Sequence, residues 1–130
     1  MPKRPNSIKQ YLNQRAFSFK NAFNGLAYAI RTQSNIHIHL FATLIVLLFS
    51  FLLNLSAIEF ILVIILIGMV WVAEIFNTAI EKTVDLCSPQ YHILAKISKD
   101  LAAAGVLVAA ITAAIAGSIL FIPHILNLLK

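Results

Sequence analysis

Three long apolar stretches, 36–53, 60–73 and 101–122, decide what this chain can become. Hydrocarbon offers no water to pair with free N–H and C=O groups, so segments of this kind settle as helices whose backbone bonds close internally. A spanning helix needs roughly 20 residues to cross a hydrocarbon layer about 30 Å thick. Composition agrees, with 60% of the 130 residues apolar, 12% charged and a mean hydropathy of +0.87, outside the balance of a soluble domain. The expected fold is an all-α membrane protein, with an N-terminal amphipathic surface helix and three transmembrane helices.

The middle stretch is too short for its task. Its 14 residues rise only about 21 Å at 1.5 Å each, so the helix must draw polar residues to the membrane boundary. If it starts near Ala57, some 20 residues of helix reach Phe76, which puts Glu74 at or just inside the interface. Lipid hydroxyl groups lie at that depth.

Orientation follows from the cations. Lys3, Arg4, Lys9, Arg15, Lys20 and Arg31 precede the first span, and Lys82, Lys96 and Lys99 lie between the second and third, while the 54–57 turn has none. The amino terminus and the 82–99 segment are expected to be cytoplasmic, and the turn and carboxyl terminus to face outward. The first apolar stretch begins too late to read as a cleavable signal. A single cysteine, Cys87, excludes an intrachain disulfide and lacks the neighbours of a nucleophile.

The expected organisation is a single domain over 1–130, with a basic tail at 1–6, an amphipathic helix at 7–33 and spans at 36–53, 57–85 and 100–122. Ile8, Leu12, Phe19, Phe23, Leu26 and Ile30 recur at helical spacing, with Lys9, Lys20 and Arg31 to one side, the pattern of a helix lying in a membrane surface. Arg15 departs from it, and Asn24-Gly25 is placed to interrupt the helix. In the third span Gly105, Ala109, Ala113 and Gly117 form a small-residue stripe that permits close helix approach.

Three of the five acidic residues fall between Glu74 and Asp85. At about 100° per residue Glu74, Asn77, Glu81 and Asp85 share one helix stripe. Such a stripe at the end of an apolar helix is costly and marks a functional site. Partial desolvation makes Glu74 a stronger base toward a lipid hydroxyl. Glu81 and Asp85 lie nearer the cytoplasm and offer the oxygen ligands that suit Mg²⁺, which takes one or two carboxylates and completes its shell with water and phosphate oxygens. Lys99-Asp100 adds a cation and an acceptor. Phosphoryl transfer calls for this inventory of metal, cation, base and exact placement. Glycines at 25, 68, 105 and 117 form no Gly-rich nucleotide loop. Three helices have little interior in which to hide carboxylates, which points to a homo-oligomer.

The pattern Glu74-x-x-Asn77-Thr78-Ala79-x-Glu81-x-x-Val84-Asp85, followed by Tyr91-His92 and Lys99-Asp100, resembles the prokaryotic diacylglycerol kinase family, which includes undecaprenol kinases. The resemblance covers roughly residues 19–115. It implies an ATP-dependent, Mg²⁺-requiring kinase of a membrane lipid alcohol, assembled as a homotrimer with shared active sites in the bacterial inner membrane, with no nucleic-acid partner. Carried over by position, Glu74 resembles the catalytic base and Glu81 a Mg²⁺ ligand. Asn77 lies near the reacting centre, and Gln90, Tyr91, His92, Lys99 and Asp100 occupy nucleotide-contacting positions. Asp85 belongs to the motif without an assigned role.

One departure stands out. Gln33 occupies a position where the family pattern commonly has a glutamate serving as a second metal ligand; an amide oxygen coordinates without charge. The Arg31-Thr32…Asn35…Ile38-His39 stretch resembles the undecaprenol kinase branch more than the diacylglycerol branch. The rival readings are a non-enzymatic ion or proton pathway lined by the carboxylate stripe and a membrane scaffold. His37 and His39 point about 200° apart on a helix, so they cannot share an ion within one chain and read as interfacial polar contacts. Trp71 reads as an interfacial anchor or a packing residue.

In a lipid phosphorylation assay, Gln33→Glu is expected to lower the half-saturating Mg²⁺ concentration several-fold relative to wild type. Equal metal dependence would remove Gln33 from the ligand set.

Overall fold

The chain first leaves helical geometry at Gln33, whose extended backbone (φ −109°, ψ 115°) divides two helices. The computed structural model describes residues 7–128; the expected basic tail at 1–6 lies outside the described residues. Four helices follow in order: α1 (Ile8–Thr32), α2 (Ser34–Leu52), α3 (Ala57–Cys87) and α4 (Ile93–Leu128). No strand occurs among the described residues.

Among the described residues, those up to Thr32 form one compact unit and those from Gln33 onward another. Within the first, α1 exposes Ile8, Leu12, Phe19 and Phe23. Asn24-Gly25 does not interrupt it, because the helix is continuous through both residues. A single glycine costs only about 1 kcal/mol against alanine, less than breaking a helix in the middle.

In the second unit α2, α3 and α4 are each long and apolar enough to cross a membrane. With 31 and 36 residues, α3 and α4 reach about 46 and 54 Å, well beyond a hydrocarbon layer of about 30 Å. The sequence segments 57–85 and 100–122 therefore form only part of longer rods. Ser88 N–H closes α3 on the Val84 carbonyl (2.8 Å), one residue before Pro89, whose ring prevents continuation.

Both α2 and α4 pack on α3, the latter more extensively, and α3 is the central element of the unit. The buried core is thin, consisting of Ile36, Val63, Val70 and Ala109 beside Ser50, Glu74, Asn77 and Thr78. Ile61, Ile65, Leu107, Ile111 and Ile119 are exposed, a surface suited to lipid or to neighbouring chains. Several hydroxyls are satisfied within their own helices. Ser50, Thr78, Thr112 and Ser118 each donate to the carbonyl four residues back, at 2.7–2.9 Å.

The turn between α2 and α3 is closed from both sides. Leu55 N–H bonds the Ser50 carbonyl and Asn54 N–H the Phe51 carbonyl (both 3.1 Å), the paired C-terminal cap in which the residue after the cap adopts a left-handed conformation. Asn54 does so, at φ 51°. Ser56 then starts α3 through a capping box. Its hydroxyl accepts from the Glu59 N–H, and Glu59 Oε2 accepts from the Ser56 N–H at 2.8 Å. Phe51 and Phe60 pack across the turn with ring centroids 5.4 Å apart.

Asn54→Gly is expected to leave thermal unfolding in detergent unchanged or raised. Asn54→Val, a β-branched residue forced to positive φ, is expected to cost about 1–2 kcal/mol.

Candidate functional site

The α3–α4 hairpin is pinned near both ends by side-chain pairs. At one end His124 Nε2 lies 2.9 Å from Glu59 Oε1; at the other Lys99 bonds Asp85. On helices rising 1.5 Å per residue, Glu59 to Asp85 and His124 to Lys99 both measure about 38–39 Å. The two clasps therefore agree on one register. Counting inward equally from Glu59 and His124 brings Glu74 level with Ala109. Ala109 is buried, and its small side chain lets α4 close on α3 there.

Polarity along the α3 stripe falls off with depth. Asp85 is exposed, Glu81 half-buried, Asn77 buried, and Glu74 only 1% exposed. Asn77 Nδ2 donates to Glu81 Oε1 at 3.2 Å, and Thr78 Oγ1 to the Glu74 carbonyl. Both Glu74 carboxylate oxygens and Asn77 Oδ1 are buried without a hydrogen-bond partner among the described residues. Such orphaned oxygens are costly and are positioned to receive a proton, a donor or a cation. His39 Nε2 of α2 stands 3.7 Å from Glu74 Oε2.

Two adjoining clefts run between α2 and α4 over α3. The first, about 280 Å³, is walled by Asn35 and His39 of α2, Glu74 and Asn77 of α3, and Val106 and Ala110 of α4. The second, about 420 Å³, shares His39 and Ala110 and continues along Val46, Val63, Ala113 and Phe121. One end is polar and the rest almost wholly apolar. Trp71 lines the second cleft and donates from Nε1 to Thr43 Oγ1 (3.0 Å), linking α3 to α2.

The remaining sequence-stripe neighbours gather at the opposite end from the α2–α3 turn. Gln90 and Tyr91 are exposed in the connection, Tyr91 at 81%. His92 Nδ1 accepts the Leu94 N–H (3.2 Å) and so caps α4. Asp100 pairs with Lys96 one turn back, and Lys99 with Asp85. Gln33 is half-buried and does not cap α2 with its side chain. Sequence reasoning placed His39 at the interface and did not connect it with Glu74. The signal was available, since Ile36, His39, Thr43, Val46 and Ser50 recur at spacings of three and four and form the inward stripe of α2.

The family model for prokaryotic diacylglycerol kinase matches residues 20–121. The chain belongs to the prokaryotic diacylglycerol kinase family. It is 44% identical over 113 residues to a diacylglycerol kinase of Synechocystis, covering 86% of this chain and 65% of that protein. It is 41% identical over 114 residues to an undecaprenol kinase of Bacillus subtilis, covering 88% of this chain and 93% of the relative. A diacylglycerol kinase of Escherichia coli is 37% identical over 83 residues, covering 64% and 68%. The chain thus spans just under two thirds of the Synechocystis relative and nearly all of the Bacillus one. Its three helices long and apolar enough to cross a membrane suit a membrane protein of that family.

Because α4 closes on α3 at Ala109, Ala109→Leu is expected to destabilise the protein by about 1–3 kcal/mol. At Gly117 an added Cβ meets nothing within 4 Å, so Gly117→Ala is expected to be neutral or better. Thermal unfolding of both variants checks the pair.

Proposed function

We propose that this chain is an integral-membrane kinase that transfers the γ-phosphoryl of ATP to the hydroxyl of a membrane lipid alcohol, undecaprenol in preference to diacylglycerol. The observation that carries the reading is Glu74, a carboxylate with no hydrogen-bond partner for either oxygen, in the smaller cleft beside Asn35, His39 and Asn77, which adjoins the longer apolar cleft at His39 and Ala110. A lipid alcohol has the same two-part character. Its hydrocarbon occupies the apolar cleft and its hydroxyl meets Glu74.

Glu74 acts as general base. As the lipid oxygen bonds to the γ-phosphorus, its proton passes to a Glu74 oxygen; the bond from that phosphorus to the bridging oxygen breaks, and ADP departs. From the α3 start at Ala57, Glu74 is about 26 Å along the helix, near the far boundary of a hydrocarbon layer of about 30 Å. With the amino terminus cytoplasmic, as the cation bias indicates, that boundary faces the cytosol. The chain is then a multi-pass protein of the bacterial inner membrane.

The donor set suits Mg²⁺. Glu81 is a half-buried carboxylate oriented by Asn77, Gln33 offers an uncharged oxygen, and no cluster of three His, Cys, Asp or Glu occurs among the described residues. Few protein ligands, with the rest supplied by phosphate and water, is how this cation is commonly held. When bound it neutralises charge developing on the transferred phosphoryl. Gln90, Tyr91, His92, Lys99 and Asp100 hold the nucleotide, with Asn77 beside the reacting centre. Asp85 anchors Lys99 so that its remaining N–H donors face the phosphates. A homotrimer is assigned from the family resemblance and from the exposed apolar face of α3.

The preference for undecaprenol rests on the 31–39 stretch and on the near full-length match to the Bacillus undecaprenol kinase. In purified protein with Mg·ATP and either lipid, Glu74→Gln and Glu81→Gln are each expected to lower kcat at least about 100-fold. Unchanged activity in both rejects the assignments, and absence of ATP turnover in wild type favours the ion-pathway reading. Faster turnover of diacylglycerol than of undecaprenol reverses the acceptor preference alone.

A further inference from the structure

We infer that His39 is a positioning residue for the phosphoryl transfer, donating a hydrogen bond from Nε2 to Glu74 Oε2 so that the other carboxylate oxygen faces the lipid hydroxyl. The inference rests on Glu74 acting as the base. The Nε2–Oε2 separation is 3.7 Å, a small side-chain adjustment from hydrogen-bond reach, and catalytic hydrogen bonds are often long before substrate binds.

The surroundings single out this histidine. From α2, His39 is 18% exposed at its side chain and lines both clefts, whereas His37 lies about 200° around the helix and is exposed. From α3 the nearest other carboxylate is Glu81, two turns away and bonded to Asn77. The α4 wall of the Glu74 cleft is Ala103, Val106, Leu107 and Ala110, which supplies no side-chain donor. Glu74 is 1% exposed, and neither of its oxygens has a partner among the described residues. A buried ionised carboxylate needs a donor, and His39 Nε2, 3.7 Å away, is within a small adjustment of supplying one. The bond also fixes geometry. With Oε2 engaged, Oε1 is held in one orientation, which is what a general base requires toward an incoming O–H.

The test compares His39→Gln with His39→Met in the full chain, reconstituted with Mg·ATP and undecaprenol. The two replacements have similar length and volume, and only glutamine offers an N–H, so a packing role affects both alike. His39→Met is expected to lower kcat about 10- to 100-fold, the worth of a hydrogen bond to a charged group, with KM for ATP within about two-fold. His39→Gln is expected to stay within about three-fold of wild type. Equal kcat in the two variants, high or low, overturns the inference. Glu74→Gln in the same assay separates the two levels: if it is active, the base assignment falls and this inference with it; if it is inactive while the His39 variants match, only the role of His39 falls.

Discussion

A carboxylate taken out of water is the constraint on which the rest of this molecule depends. Moving an ionised side chain into apolar surroundings costs several kcal/mol even after relaxation, and Glu74 is as buried as any apolar core residue. A chain whose helices otherwise expose most of their surface to lipid has little packing energy to set against that. The cost is contained by geometry. Glu74 sits where three helices meet, with His39 on one side and the Asn77–Glu81 pair leading toward water on the other.

That placement depends in turn on the α3–α4 register. Exposed polar side-chain pairs contribute little stability singly, yet two of them at opposite ends of one hairpin act as a gauge. A slip of one residue would separate both Glu59 from His124 and Asp85 from Lys99, and would turn the stripe away from the cleft. Between the clasps the helices need only fit, and a small residue at Ala109 provides the closest approach.

Much of this was legible in the residues. The apolar stretches gave three spans, and the helical spacing of Glu74, Asn77 and Glu81 placed them on a common face. Other features escaped because they depend on what lies opposite. His39 read as one of two diverging histidines until α3 supplied its neighbour, and Trp71 read as an anchor or packing residue until Thr43 supplied an acceptor. The Ser56-Ala57-Ile58-Glu59 capping box was readable from sequence alone, but the second use of Glu59, as the partner of His124, was not. Asn24-Gly25 misled because a local breaker signal was weighed without the long helix around it.

The clefts between α2 and α4 have one further consequence. Since those two helices lean on α3 and not on each other, the space between them is open at its side, and on the proposed reading a lipid reaches it by diffusion in the plane of the bilayer. On the proposed reading the alcohol that enters is uncharged, whereas the monoester formed from it carries about 1.5 to 2 negative charges. Walls of valine, leucine and alanine that accept the first are poor hosts for the second. Turnover thereby converts a ligand the site retains into one it expels toward water, and the chemistry itself clears the way for the next molecule.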